Sequence, residues 1–213
     1  MSKMKNKRGF LIVITLITIL ILSLGALFSL VSWNHSYVVP KVKVSFDLID
    51  KGIKAQSKGV MELNNDELNG IIAFYSSGKK TYDDLTIKGI HGEMSGDSLQ
   101  FFIPSSYKGI SFLLRTEGNL GFKEGKAQYI VNKVYLGKLP ISKDFVLNKL
   151  KNVMTGTMAA DNSSIYLDLS SMPVKIKDVK VRGSILVVEV EKVSGIYEER
   201  LKFLENMIKD FIK

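Results

Sequence analysis

The 213-residue chain contains no cysteine. That absence excludes disulfides, thiolate metal sites, iron–sulfur clusters, a cysteine nucleophile and the lipid-modified cysteine of a bacterial lipoprotein. A domain facing an oxidising compartment would then rest on core burial alone. Histidine is almost missing too: His35 and His91 are the only two. Neither has a carboxylate or a second histidine three or four residues away, so no two-histidine metal site is expected. A Ser-His-Asp triad would have to use His91, and "GEMSG" (92–96) carries its serine one place late for the G-x-S-x-G elbow. "SSGKKT" (76–81) fails the phosphate-loop pattern twice and reads as a helix C-terminus instead. "NNDE" (64–67) and "YDD" (82–84) lack the alternating spacing of a calcium loop. No catalytic residue, cofactor or metal is expected.

Long runs of one charge are missing as well. The formal net charge is +9, and Lys3, Lys5, Lys7 and Arg8 supply four of the positives before any acid appears. The remainder is spread thinly, without aromatics interleaved among basic clusters, so the pattern is a solvated, mildly basic surface and not a nucleic-acid site. "NHS" (34–36) and "NSS" (162–164) match the N-glycosylation acceptor, a signal too short to carry weight.

What is present begins with "GFLIVITLITILILSLGALFSLVSW" (9–33), which is free of charge. As a helix, Phe10 to Trp33 would span about 36 Å, enough to cross a hydrocarbon core of about 30 Å. Residues 1–8 are then a basic cytoplasmic tail by the positive-inside bias, and the rest of the chain faces outward. Trp33 and Tyr37 fall where membrane-interface aromatics belong. A cleaved signal peptide is the competing reading. The apolar run outlasts the short core of cleavable signals, which favours a retained, single-pass anchor in the cell membrane.

"NHSYVVPKVKV" (34–44) reads as a juxtamembrane stalk, kept extended by Pro40 and alternating valines. Residues 45–213 read as one extracytoplasmic domain without a linker. A helix is expected within 61–78, capped at Asn64 or Asn65, with Leu68, Ile71, Ile72 and Tyr75 on one face and Gly78 at its end. Four strands follow, "LTIKGIHGEMS", "DSLQFFIP", "GISFLLRTEGNLGF" and "KAQYIVNKVYLGKL", turning at Gly96-Asp97 and at Lys123-Glu124-Gly125. Pro140 is expected to stop the last of them, and Ser142 to cap a second helix over 142–154, with Val146, Leu150, Val153 and Met154 in one stripe. Three more strands, "SSIYLDLS", "PVKIKDVKVRG" and "SILVVEVEKV", broken at Ser171-Met172-Pro173 and at Gly183, precede an amphipathic C-terminal stretch, "IYEERLKFLENMIKDFIK". Its mixed charge favours docking on the sheet over lying on a membrane. The class expected is α+β: a transmembrane helix, then one domain with a curved, mainly antiparallel sheet wrapped around helices.

"LQFFI" and "ISFLLR" carry apolar groups on both faces: Phe101 and Ile103 oppose Phe102, and Phe112 and Leu114 oppose Leu113. An ordinary two-layer fold needs one apolar face only. The second face implies either cover on both sides or an apolar groove on one.

"NNDELNGIIAFY", then four strands, then "VYLGKLPISKDFVLNKL", then "IYLDLSSMPVKIKDVKV" resembles the YpmS-like family of membrane-anchored bacterial proteins, over about Leu63 to Val193. The most specific piece is Leu136-Gly137-Lys138-Leu139-Pro140-Ile141; family members usually carry a second proline where Ser142 stands. More distantly the order is similar to the tubular lipid-binding superfamily, in which a curved antiparallel sheet wraps a helix around an apolar groove. The resemblance implies a lipid-handling domain without catalytic residues, whose partner is membrane lipid. Leu68, Ile72, Phe101, Phe112, Leu114, Val146 and Leu150 would line the groove. The alternative is a non-enzymatic interaction module for an envelope or cell-wall protein, using a sheet edge or the C-terminal stretch.

Overall fold

The structure is a computed structural model that describes residues 3–41, 46–75, 80–82, 84–151, 154, 156–170 and 174–193. Helix α1 runs Lys3–Val31. Its window Ile14–Val31 has a mean hydropathy of 2.6 and no part buried against the rest of the protein. Those 18 residues rise about 27 Å. This is one helix long and apolar enough to cross a membrane. Hydroxyls in it and just past its end bond back to the main chain: Thr18 Oγ1 donates to the Ile14 carbonyl, Ser23 Oγ to Leu20 and Ser32 Oγ to Phe28. Such back-bonding leaves few polar groups that an apolar solvent would have to accommodate.

Two short elements open the domain. Helix α2 (Phe46–Lys58) buries Ala55 and ends at Gly59, whose φ of +82° suits a helix stop. Strand β1 (Val60–Leu63) leads into helix α3 (Asn65–Tyr75). A capping box starts α3: the Glu67 N–H donates to Asn64 Oδ1, and the Asn64 N–H donates to Glu67 Oε2, both at 2.9 Å. The helix thus starts where its expected cap at Asn64 puts it, and Met61–Leu63 before it belongs to β1.

The large sheet contains β2 (Lys80–Tyr82), β3 (Leu85–Ile87), β4 (His91–Ser95), β5 (Ser98–Tyr107), β6 (Ile110–Lys123), β7 (Lys126–Leu136), β8 (Leu139–Ile141), β9 (Met158–Ala160) and β10 (Ser164–Asp168). Its spatial order is β2-β3-β5-β6-β7-β10-β9, with β4 also on β5 and β8 also on β7, all antiparallel. A second sheet, β1-β12-β11, adds β11 (Ile176–Arg182) and β12 (Ile185–Val190), and β11 packs on β6. Helix α4 (Lys143–Lys151) lies against β7 and β9. The large sheet curls into a half-barrel, so the α+β class holds: an apolar N-terminal helix, then a curved antiparallel sheet with helices.

The curl has a local cause. The β6–β7 register slips between Glu117 and Gly118, a bulge that increases twist. A Cβ on Gly118 would lie 2.2 Å from the Ile130 carbonyl oxygen, so the two backbones meet where no side chain fits.

Four local expectations change. "LTIKGIHGEMS" is two strands, since β5 pairs β4 over 98–102 and β3 over 105–107. Pro104, without an N–H, sits in the gap between them. Pro140 does not stop a strand: it lies within β8 opposite Tyr135, and a sheet margin tolerates the missing donor. The 135–150 stretch is thus a β7–β8 hairpin before α4 and not a direct strand-to-helix passage. Finally, α2, β1, β2 and β9 add to the expected element list. The C-terminal stretch 196–213, the Gly78 helix end and the 171–173 break lie outside the described residues.

Candidate functional site

Six of the seven residues expected to line a groove lie in the hydrophobic core or pack against it, on the inner side of the half-barrel. Leu68 belongs to the core cluster, and Ile72, Phe101, Leu114, Val146 and Leu150 pack against it half-buried. Phe112 shares the face of Leu114 by alternation and is half-buried outside that cluster. Leu99 and Leu147, each about 1% exposed, are the fixed floor of the same interior.

Helix α3 is pinned over this face by two asparagines. Asn69 Nδ2 donates to the Gly92 carbonyl at 2.7 Å, the Gly92 N–H donates to Asn69 Oδ1 at 2.8 Å, and the Met94 N–H donates to Asn65 Oδ1 at 2.7 Å. These side chains occupy the free edge of β4 as a neighbouring strand would. A Cβ on Gly92 would come within 2.9 Å of Ile72 Cδ1, so the glycine lets α3 lie close. The sequence reading used Asn64 and Asn65 as caps and passed over Asn69. Asparagines four apart on an otherwise apolar helix face were the signal, since each is a poor helix former.

Further along, Phe101 meets Tyr129 edge to face at 4.9 Å between centroids. The Tyr129 hydroxyl donates to the Leu99 carbonyl at 3.1 Å and shares a 3.0 Å bond with Thr116 Oγ1. Burial pushes its pKa up to about 12, so the phenol stays neutral and acts as a tie within the barrel wall.

The opposite face is covered by the chain that leaves α1. Phe102, Pro104 and Leu113 share this side by register, and Leu113 is only 2% exposed. Tyr37 stacks on Phe102 with centroids 5.6 Å apart and lies 6.3 Å from the His91 ring. A Cβ on Gly89 would touch Val39 at 3.0 Å. Tyr37 and Val39 face the sheet while Val38 points out, 79% exposed. Residues 33–41 thus form a strap across the strands. Tyr37, expected at the membrane interface, lies on the sheet; Trp33, expected there too, is exposed beside Lys138.

The strap begins at a tight joint. The Lys138 N–H donates to the Leu30 carbonyl at 2.9 Å, and the Gly137 N–H to the Leu113 carbonyl at 2.8 Å. A Cβ on Gly137 would lie 2.2 Å from the Leu30 oxygen and 2.4 Å from the Val31 oxygen. Gly137 also has φ +59°, so two independent constraints select glycine. Lys138 Nζ sits 5.1 Å over the Trp33 ring, near the negative end of the α1 dipole. The Gly-Lys corner therefore caps the membrane-length helix.

Polar clusters elsewhere are structural. At the β9–β10 turn, the Tyr166 hydroxyl donates to Asp161 Oδ2 at 2.7 Å, and the Ser163 and Ser164 N–H groups donate to Oδ1 at 2.7 Å each. These bonds, led by Tyr166, hold the Asp161 carboxyl down to about 2. Asn162, the would-be glycosylation residue, accepts from Lys151 Nζ. His91 is half-buried under the strap, with its Nδ1 buried and unpaired. Burial lowers its pKa against the pull of Glu93 and Asp66. Among the described residues, no group of three or more His, Asp or Glu side chains is placed to hold a metal ion. The chain matches no protein-family model, no curated protein and no solved structure.

Proposed function

We propose that this chain is a single-pass protein of the cell membrane, N-terminus inside, whose outer half-barrel holds a lipid acyl chain without catalysing a reaction. The observation that carries this reading is the state of the concave face. Ile72, Phe101, Phe112, Leu114, Val146 and Leu150 are large and apolar yet only half-buried, although α3, α4 and the second sheet already pack there. An acyl chain laid along them would gain about 0.8 kcal/mol per methylene buried. The joint at Gly137 holds the half-barrel as a whole next to α1, although on its outer side, which keeps the path from the bilayer short. The resemblance to the YpmS-like family and to tubular lipid-binding domains points the same way.

The test is native mass spectrometry of the full-length chain extracted from membranes. Wild type carries lipid, and Val146→Gln with Leu150→Gln loses it while keeping its thermal midpoint within a few degrees. A consistently empty wild-type protein overturns the proposal.

A second reading has its own observation. Phe145 (62% exposed), Met158 and Leu167 present apolar surface on α4, β9 and β10, which would suit an envelope protein partner. Crosslinking that is lost in Phe145→Glu, with lipid content unchanged, would select it.

A further inference from the structure

The joint with α1 lies at one end of the large sheet, by the β7–β8 turn. We infer that the β5–β6 hairpin tip, Tyr107-Lys108-Gly109-Ile110, is a second membrane contact that enters the interfacial zone of the bilayer crossed by α1. This rests on the anchoring reading above.

The contact with α1 falls at one end of β7, whose last residue, Leu136, pairs with Leu114. Strand β6 continues past that row by four residues to Ile110, about 13 Å at strand rise. The rest of β6 and β7 runs the opposite way, to the Lys123–Lys126 hairpin. The tip therefore lies past the joint with α1, at the end of the sheet away from most of its length.

The two hairpin ends differ in the way this placement requires. The far end is Lys123-Glu124-Gly125-Lys126, without an apolar side chain. The near tip exposes Tyr107 (49%) and Ile110 (48%), with Phe112 half-buried behind them. An aromatic with a polar end beside an aliphatic suits the headgroup boundary. The backbone is also prepared. Lys108 and Gly109 have φ of +48° and +82°, Tyr107 pairs with Ile110, and the Lys108 N–H donates to the Asp84 carbonyl at 3.2 Å. Few main-chain groups would be stranded on leaving water. Lys108 Nζ lies 3.6 Å from Asp84, so the local charge is largely balanced. The partner is accordingly the interface of a neutral, zwitterionic bilayer, reached through apolar contact.

The absence of cysteine makes the test clean. Asn34→Cys, Lys108→Cys, Ile110→Cys and Glu124→Cys are each made in the full chain, labelled with an environment-sensitive fluorophore and placed in phosphatidylcholine vesicles. Quenching is read with lipids carrying a nitroxide at the headgroup. Labels at 34, 108 and 110 should each lose about half their emission or more, with the label at 124 unchanged. If 34 is quenched while 108 and 110 match 124, this inference is overturned and the anchor stands. If 34 is also unquenched, the anchoring reading falls and this inference with it. Equal quenching at all four positions would mean the domain lies flat, which overturns a contact specific to the tip.

Discussion

The two faces of the β5–β6 ribbon are covered by different means. The inner face is covered by elements that follow it or lie within its own domain: α3, α4 and the second sheet. The outer face is covered by residues 33–41, a strap with no regular secondary structure after its first turn, which arrives from the apolar helix α1. Inner cover is broad and made of packed side chains. Outer cover is narrow and depends on a few contacts, with Gly137, Lys138, Phe102 and His91 at its centre. The difference teaches that stability and placement are separable here. The inner face holds the domain together, and the outer face decides how the domain sits on α1.

Substitutions on the two faces should therefore have different signatures. Leu99→Ala, on the inner floor, has the largest expected effect, a loss of about 2–5 kcal/mol by chemical denaturation, with membrane association intact. Gly137→Ala comes next: it favours opening of the joint by about 1–3 kcal/mol, because its Cβ meets the Leu30 and Val31 oxygens at a positive φ. Its distinctive result is faster proteolysis within 33–41 at unchanged core stability. Equal proteolysis would show that the joint does not hold the strap. Lys138→Met removes the charge over Trp33 and should cost about 0.5–1 kcal/mol, seen as a shift in Trp33 emission.

The smallest expected effect is a pH dependence from His91. Its folded pKa lies below its ordinary 6.5, so the folded state binds fewer protons than the unfolded one in the window just beneath that value. Stability is full above the window, falls as pH drops through it, and levels off below the folded pKa. Thermal midpoints measured from about pH 7.5 to about pH 5 should show this slope, and His91→Phe should flatten it. A slope unchanged in that variant would place the titration elsewhere.

How much of this was legible in the sequence depends on the range of the cause. The apolar span of α1 is written in one uncharged run, and three hairpins are written in their turns: Gly96-Asp97, Glu124-Gly125 and Gly183-Ser184, with positive φ at Gly96, Glu124, Gly125, Gly183 and Ser184. The two-sidedness of Phe101/Phe102 and Leu113/Leu114 was legible because alternation is local. What covers each side was not, because the strap and the second sheet are distant in sequence. Helix α2 was missed because its lysines and Gln56 dilute a short apolar stripe around Leu48 and Ala55. Gly137 stands between two strands, where a turn alone would account for a glycine. Its tighter constraint comes from carbonyls at Leu30 and Val31, which no local pattern records.

The most direct test of the account is crosslinking with a phospholipid that carries a photoactivatable group near its acyl terminus, incorporated with the full-length chain. Peptides bearing Phe112, Leu114, Val146 and Leu150 should be labelled along with α1, and labelling of the former should fall in the Val146→Gln, Leu150→Gln variant. Label confined to α1 would contradict an acyl chain in the half-barrel.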